Sequence, residues 1–559
     1  MDYMGRYMDK KAARIILFLI IVSQVACVAY WASLKSRFHI DEFYTFEYAQ
    51  LFRPDKRIKQ QEDLTDIPQW EDGRWLSVGE LRTNLTVQEG ESVLDLPLGK
   101  SVKMFLLDRN YMWIINFLET IAGEKDLPVR ICIGFNIFVL ILSQLLLFHF
   151  LSVCLGLDAR TALLSVAMWG FSPLVLGLSV FCRFYLWTLF LFLVALVSHR
   201  MMWDSDSHWR NILYEAIGAT ALLLAFNNSE LFFVIGGALA VFFSVSLLVR
   251  KKYVQSLYYS VPVLVGGLLY IIRRTDFLLA VFRPGYYAGL QDSGEIGNHL
   301  NYLFNTTVGD KAAALYSVID KFAHTFFGSG IAALAAFLGV LALLWFVRRK
   351  KPGVIDGFSL ILIGVAFSYW IFCGVTGMMY TRYHSFLFLL VVIILWGVFD
   401  RLANSCGHPR MAYTAALVFV LVGAALPFKK MNVPYVYEDW ERFGEQVSGY
   451  AGLDAVVDYN PYYQITVYDC VSRLGESSHI YPRPLYHPYT GLKDLPDTFL
   501  YWTTVDPSPR ETLESIKARG YSLELLTEEA KEELVFVCVK TGGGASQGGT
   551  LPATPRASH

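Results

Sequence analysis

The sequence predicts an all-α protein that crosses a membrane about eleven times and carries a small α/β domain near its C-terminus. The first observation is composition: 54% of the 559 residues are hydrophobic and 17% are charged, whereas soluble domains are about 45–50% apolar and about 25% charged. Secondly, many apolar runs approach the roughly 20 residues that a spanning helix needs. Thirdly, strand-like and helix-like runs alternate after residue 429.

The apolar runs predict the spans directly. Each is bounded by charged or turn-forming residues, and two pairs are separated by very tight turns near 182 and 228. The eleven predicted spans are 12–34, 129–153, 161–181, 184–203, 212–227, 230–249, 253–272, 326–347, 355–378, 383–399 and 411–428.

Lysine and arginine set the expected orientation. Basic residues crowd the N-terminus and the loops near 160, 200–210, 250–252, 348–351 and 401–410, and all of these fall on one side if the first span starts in the cytoplasm. The first span lacks a small-residue cleavage pattern, so we expect it to be retained. We therefore expect a multi-pass protein, of a bacterial inner membrane, with loops 35–128 and 273–325 and the C-terminal region outside.

Three domains are expected from this pattern. Residues 1–428 would form the membrane domain with both outer loops, 429–540 the α/β domain, and 541–559 a disordered tail of low complexity. Segment 104–121 is apolar but contains three charges, which suits a helix lying in the membrane interface. In the α/β domain we expect helices at 437–450, 461–474 and 508–520 and strands at 454–458, 498–505 and 533–540. A disulfide between Cys470 and Cys538 is compatible with the sequence.

A cluster of carboxylates follows the first span. Residues 39–48 read HIDEFYTFEY and contain Asp41, Glu42 and Glu47 among aromatic side chains. A carboxylate in a partly dry setting is more basic than in water, which suits a base that takes a proton from a hydroxyl group. The alternative is a solvated loop that merely follows a membrane helix.

Two arginines lie at the outer ends of predicted spans, against the general charge trend. Arg183 and Arg382 would be costly at that depth unless paired, so each is a functional candidate. Arginine binds phosphate with two parallel hydrogen bonds, and Arg109 on the interface segment is a third candidate. The alternative for all three is contact with lipid headgroups.

The remaining polar features are less specific. Glu230, after Asn227 and Asn228, caps a helix or contacts an acceptor, and Arg283 opens the long outer loop. Single histidines, His384 among them, are expected to pack or to form hydrogen bonds. A net charge of −1 gives no basic surface for nucleic acid, and no glycine-rich loop follows a strand to hold a nucleotide.

Four short motifs resemble those of the GT-C glycosyltransferases, in the branch of protein O-mannosyltransferases and bacterial aminoarabinose transferases. The Asp41-Glu42 pair is similar to the first-loop motif of the family. Segment 108–116 (DRNYMWIIN) occupies the place of a family segment with paired prolines, which are missing here. Arg183 with Tyr185 is similar to the family's Arg-x-Tyr, and Arg382-Tyr383 to its later Arg-Tyr.

The resemblance implies an inverting transfer of a hexose or pentose from a polyprenyl-phosphate donor. By position, Asp41 would be the general base and Glu42 would orient the acceptor or adjust Asp41. The other positions implied are Arg109, Arg183, Arg382 and Tyr383 for the donor phosphate, and Tyr185, Glu47, Glu230 and Arg283 for the acceptor or secondary contacts. The partners implied are the lipid donor, membrane lipids and a glycan, lipid or protein acceptor.

Two other classes remain open from the sequence. A transporter or flippase of a lipid-linked saccharide would also have many spans, but it usually places polar groups near mid-membrane, whereas here they gather at one face. A non-catalytic assembly protein could use the α/β domain for docking. No metal-ligand spacing is visible, so we expect an enzyme without a metal cofactor.

Overall fold

The chain forms two compact units. The first comprises Met1–Ala32, Val102–Tyr111 and Cys132–Pro434, and the second Ser33–Ser101, Met112–Ile131 and Tyr435–His559. The computed structural model describes residues 9–49, 74–83, 85–88, 92–107, 109–123, 127–229, 232–273, 302, 305–327, 331–348, 356–378, 380–406, 408–430, 433–437, 441–459, 465–484, 494–504, 510–526 and 533–541.

Helices dominate the described residues. In chain order they are α1 (Lys10–Ser33), α2 (Ile40–Tyr48), α3 (Val78–Thr83), α4 (Leu98–Leu107), α5 (Asn110–Ala122), α6 (Val129–His149, continued by a π-turn at Phe150–Cys154), α7 (Ala159–Gly170), α8 (Pro173–Val180), α9 (Tyr185–Asp204), α10 (His208–Asn228), α11 (Phe232–Val249), α12 (Tyr253–Arg273), α13 (Val308–Phe327), α14 (Ile331–Phe346), α15 (Gly357–Thr376), a 3₁₀ turn (Thr381–His384), α16 (Ser385–Ser405), α17 (Pro409–Lys430), α18 (Glu441–Ser448), α19 (Ile465–Arg473) and α20 (Arg510–Ala518).

Six helices of the described chain are long and apolar enough to cross a membrane: α1, α6 with its π-turn, α9, α11, α15, and α16 with the 3₁₀ turn. A seventh span results if α7 and α8 are counted together. The other four predicted spans are helical too, but their described parts do not reach the same length and hydropathy. In α10 the reason is visible, because Asn211 and Glu215 interrupt the apolar run. The protein is thus an integral membrane protein.

The predicted span 161–181 is broken in the structure. The axes of α7 and α8 differ by 56°. Ser172 caps α8 by accepting a hydrogen bond from the amide of Val175 at 3.3 Å, and Pro173 takes the first helical position, where no amide donor is needed. These two residues explain why one apolar run forms two helices.

The second unit is built on a six-stranded mixed sheet. Its spatial order is β1 (Leu76–Ser77), β3 (His479–Pro484), β2 (Ala455–Tyr459), β4 (Thr498–Thr504), β6 (Glu533–Lys540) and β5 (Tyr521–Leu525). The three inner strands β3, β2 and β4 run parallel and the outer ones antiparallel. Strand β2 is buried along its whole length, as expected for a parallel strand covered on both faces.

The first outer loop contributes to this sheet. Leu76 pairs with Ile480 and Ser77 with His479, and Arg82 donates hydrogen bonds to the carbonyl groups of Val471 and Leu474. Loop 35–128 was expected in the membrane domain, but most of it belongs to the same compact unit as the C-terminal region. The loop belongs to this unit because its backbone pairs with a strand that lies about 400 residues later in the chain.

The predicted α/β domain is confirmed. All three predicted helices and all three predicted strands are present as α18, α19, α20, β2, β4 and β6, while the short or polar strands β1, β3 and β5 were not predicted. Cys470 and Cys538 are buried free thiols, so the disulfide is not formed. The predicted tail lies outside the described residues beyond 541.

Two predictions of outer segments need correction. The interface segment 104–121 forms parts of two helices, α4, which ends at Leu107, and α5, which begins at Asn110. In the outer loop 273–325 an unpredicted amphipathic helix, α13, begins at Val308. This helix contains Asp310, Lys311 and Asp320 among its apolar residues, so it is not a continuous apolar run and was not predicted.

Candidate functional site

The carboxylates of the candidate site lie on α2, which begins six residues after α1. His39 ends the linker in an extended conformation, and its Nδ1 accepts a hydrogen bond from the amide of Asp41 at 3.1 Å. Glu42 accepts in return from the amide of His39 at 2.8 Å. This reciprocal capping satisfies two of the amides that a helix start leaves without partners.

Asp41 and Glu42 are adjacent in sequence but have different surroundings. The Glu42 side chain is fully buried, and its Oε2 lies 3.0 Å from Nζ of Lys35, itself only 3% exposed. The Asp41 side chain is 18% exposed, and its Oδ2 lies 3.6 Å from Nδ1 of His39. Glu42 is therefore occupied by the helix cap and a buried ion pair, whereas Asp41 keeps access to solvent.

Aromatic side chains cover the other face of α2. Phe43 and Phe46 are fully buried and meet Phe38 with ring centroids 5.6 and 6.0 Å apart. Tyr468 of α19 stacks on Phe43 at 4.9 Å, and its hydroxyl donates to Glu47 at 3.4 Å. Burial, and next the negative charge of Glu47, raise the pKa of Tyr468. The aromatic setting expected for the carboxylates is present, and Glu47 is engaged by Tyr468.

A second buried ionic group fixes the linker before α2. The Nε of Arg37 lies 2.7 Å from Asp469, and its Nη2 lies 2.5 Å from Glu533. Burial and then the charge of Asp469 raise the pKa of Glu533 to about 8, and burial also raises the pKa of Asp469. Arg473 donates to the carbonyl of Ser36 at 2.9 Å. The linker is thus tied to α19 and β6.

The first compact unit holds the candidate phosphate-binding residues. Arg183 lies in the turn between α8 and α9, and Arg382 in the 3₁₀ turn before α16. The two turns meet through Tyr185 and Tyr383, whose ring centroids are 6.1 Å apart. The structure therefore brings together four of the residues that the sequence assigned to the donor or to secondary contacts.

The turn that carries Arg382 is closely held. The guanidinium lies over the rings of Tyr380 and Tyr383, at 4.5 and 5.0 Å, and Arg382 is 7% exposed. The Tyr369 hydroxyl donates to the Tyr383 carbonyl at 2.9 Å. His384 contacts the Met378 carbonyl through Nε2 at 3.0 Å, so that nitrogen carries the proton. His384 therefore serves the turn through hydrogen bonding.

The other predicted residues are placed differently. Arg109 is exposed and lies in the short connection between α4 and α5. Glu230 and Arg283 lie outside the described residues, so their assignments stay predictions.

Several residues around the site were missed at the sequence level. Lys35 and Arg37 follow the first predicted span closely in the sequence, and the charge argument applied to Arg183 and Arg382 would have selected them. Asn110 and Asn136 are fully buried amides. A polar residue inside an apolar run was the available signal for Asn136.

The predicted GT-C-like fold is confirmed by likeness to solved structures. Two solved structures of ArnT from Cupriavidus metallidurans resemble the chain over nearly its whole length. One, bound to undecaprenyl phosphate, gives a TM-score of 0.53 at 13% identity and covers 93% of this chain and 97% of its own. The apo state gives 0.50 at 12% identity, with 94% and 98% covered. No protein-family model and no curated protein sequence matches the chain.

Proposed function

We propose that the protein is a membrane glycosyltransferase that moves a hexose or pentose from a polyprenyl-phosphate donor to an acceptor on the extracytoplasmic face. The observation that carries the proposal is the meeting of the Arg183 and Arg382 turns through Tyr185 and Tyr383, in a fold like that of ArnT bound to undecaprenyl phosphate. Two cations presented together suit a phosphate, because each guanidinium offers parallel donors to its oxygens.

The proposed chemistry is a single inverting displacement. Asp41 takes the proton of an acceptor hydroxyl, whose oxygen then forms a bond to C1 of the sugar. The bond between C1 and the phosphate oxygen breaks, and the electron pair leaves with polyprenyl phosphate. Arg183 and Arg382 stabilise the negative charge that develops on this leaving group. Arg109 and Tyr383 are proposed as further contacts of the donor phosphate, and Tyr185, Glu47, Glu230 and Arg283 as acceptor or secondary contacts.

The choice of Asp41 over Glu42 has a physical reason. Glu42 is fully buried against Lys35, so proton uptake there would leave a buried lysine without its counter-charge, which is costly. Asp41 is partly exposed beside a neutral imidazole that its own amide binds through Nδ1. A base must reach the acceptor and exchange its proton afterwards, and the partial exposure of Asp41 supports its choice for this role.

The decisive experiment uses purified full-length protein in lipid. A panel of radiolabelled polyprenyl-phosphate sugars is supplied with a candidate acceptor fraction, and release of polyprenyl phosphate and labelled acceptor are both measured. We expect equal amounts of the two products for one donor. Movement of intact donor across vesicles without either product would favour the flippase class. Failure to process any donor, with no transport, would contradict the proposal.

We also propose that the transfer needs no metal ion and that the second unit lies outside the cytoplasm. Turnover should be unchanged by EDTA. For the location, Ser477→Cys places a thiol at an exposed position before β3. A membrane-impermeant maleimide should label it in intact cells, and labelling only after permeabilisation would overturn the orientation.

A further inference from the structure

Four buried side chains and one half-buried side chain of the first unit form a neutral hydrogen-bond network next to the Arg109 and Arg183 segments. They are Asn110, Tyr111, Asn136, Trp187 and Asn228, contributed by α5, α6, α9 and α10. None of them has a role in the proposed reaction. Asn228 and its neighbour Asn227 belong to the Asn-Asn-Ser-Glu motif that the sequence singled out without deciding its role.

The donors and acceptors of this network admit one arrangement. The indole of Trp187 can only donate, and its Nε1 lies 2.7 Å from Oδ1 of Asn110. Asn110 therefore presents Nδ2 to the Leu224 carbonyl, also at 2.7 Å. Asn228 donates to the same Oδ1 at 2.7 Å and accepts from the amide of Tyr111 at 3.1 Å. The orientation of the Asn110 amide follows from the Trp187 indole, and that of Asn228 from the backbone amide of Tyr111.

The connection that carries Arg109 is held on both sides by the end of α10. Asn227 donates to the carbonyl of Leu106 at 2.6 Å, before Arg109. Asn228 binds the amide of Tyr111 and the side chain of Asn110, after Arg109. The backbone on either side of the arginine is therefore fixed by two consecutive asparagines.

The same network reaches the turn that carries Arg183. The Tyr111 hydroxyl donates to Oδ1 of Asn136 at 3.3 Å, and Nδ2 of Asn136 donates to the Phe181 carbonyl at 2.8 Å. That carbonyl also accepts from the amide of Arg183 at 2.7 Å. Trp187, bound to Asn110, lies in the first turn of α9, just after Arg183.

We propose that Asn110 and Asn228 are positioning residues, which set Arg109 and Arg183 in register for one phosphate group of the lipid donor. This inference rests on the proposed function. Neutral amides suit the task because they cost less to bury than charges do and add no charge that competes with the arginines for the phosphate.

The test measures affinity for polyprenyl phosphate and the donor KM in folded protein. Asn110→Ala and Asn228→Ala should each weaken both by about tenfold, with kcat and the acceptor KM little changed. The double variant should lose no more than the larger single effect, since both residues act through one network. Trp187→Phe keeps an aromatic ring and removes the donor to Asn110, so it should reproduce the effect even if an asparagine variant misfolds.

The matched control is Gln144→Leu. Gln144 is a fully buried amide of α6 whose side-chain atoms have no hydrogen-bond partner within the described chain. This variant should bind polyprenyl phosphate like the wild type. Asparagine and tryptophan variants that fold with unchanged affinity for polyprenyl phosphate would overturn the positioning role. A wild-type protein that neither binds polyprenyl phosphate nor releases it from any donor would instead overturn the proposed function.

Discussion

The two compact units hold their candidate residues by different physical means. In the second unit, buried ion pairs fix the segment that carries Asp41: Lys35 with Glu42, and Arg37 with Asp469 and Glu533. In the first unit, neutral amides and aromatic rings surround the Arg109, Arg183 and Arg382 segments.

The difference follows from the surroundings of each unit. The first unit contains the membrane spans, where a charge without a partner is expensive and neutral hydrogen bonds add about 0.6–2 kcal/mol each. The second unit is built on a sheet, and there a buried charge pair is tolerated if its hydrogen bonds are satisfied. Buried ion pairs therefore hold the backbone near the carboxylates in place, whereas neutral hydrogen-bonding groups and aromatic rings hold the backbone near the arginines.

The largest effect is expected at Asp41. Asp41→Asn keeps the size of the side chain and removes the base, so turnover should fall by about 10²–10⁴-fold while affinity for the donor stays. The measurement is single-turnover transfer together with donor binding. Glu80→Gln, at an exposed carboxylate of α3, is the control and should be fully active. Near wild-type turnover of both Asp41→Asn and Glu42→Gln would end the catalytic interpretation of α2.

Loss of the Lys35–Glu42 pair should lower the free energy of unfolding more than it lowers turnover. Glu42→Gln leaves Lys35 buried without its counter-charge, which costs about 3–5 kcal/mol of unfolding free energy. The double variant Lys35→Met/Glu42→Met should lose less than Glu42→Gln, since no unpaired charge remains. Thermal unfolding in detergent gives both values. A stable Glu42→Gln protein without turnover would transfer the role of base from Asp41 to Glu42.

Arg382 should affect donor affinity. Arg382→Ala removes a charge-assisted contact to the phosphate and should weaken donor binding by about 1.5–3 kcal/mol. Arg382→Lys should restore only part of it, because an ammonium lacks the planar fork of donors. Arg210→Ala, at an exposed arginine of the same unit, should bind normally. Full rescue by lysine would indicate a general electrostatic effect instead of a shaped phosphate site.

The buried Glu533 should make the stability of the second unit depend on pH. The pKa of Glu533 rises on folding from its ordinary value of 4.5 to about 8, so between these values the folded protein binds more protons than the unfolded chain. Stability should therefore fall as pH increases from about 5 to about 8.5. Asp469 contributes with the same sign.

The measurement is the thermal midpoint across this range. Glu533→Gln can still accept from the Trp502 indole, which lies 2.7 Å from Oε2 of Glu533, and it should flatten the slope. A wild-type midpoint that increases with pH would mean that Arg37 keeps both carboxylates ionised in the folded state.

Local sequence determined much of this protein. Continuous apolar runs of about 20 residues can only be helices in a bilayer, because every backbone group must find its partner within the segment; α1, α6, α9, α11, α15 and α16 follow from that rule. The alternation of short apolar and amphipathic runs after residue 429 gave three helices and three strands of the α/β domain. The positions of Arg183 and Arg382 at the ends of predicted spans could also be read from the sequence.

The tertiary structure decided what depended on distant partners. Three interactions have no counterpart in the local sequence pattern, because their partners are far apart in the chain. They are the pairing of Leu76 with Ile480, the contact of Lys35 with the Tyr435 carbonyl at 2.6 Å, and the hydrogen bonds of Asn227 and Asn228 across 117 to 121 residues. The family resemblance named Asp41 as the base by position, but the local sequence could not say which of Asp41 and Glu42 is buried. Only the fold buries Glu42 and leaves Asp41 accessible, since burial depends on which distant chain segments pack around a side chain.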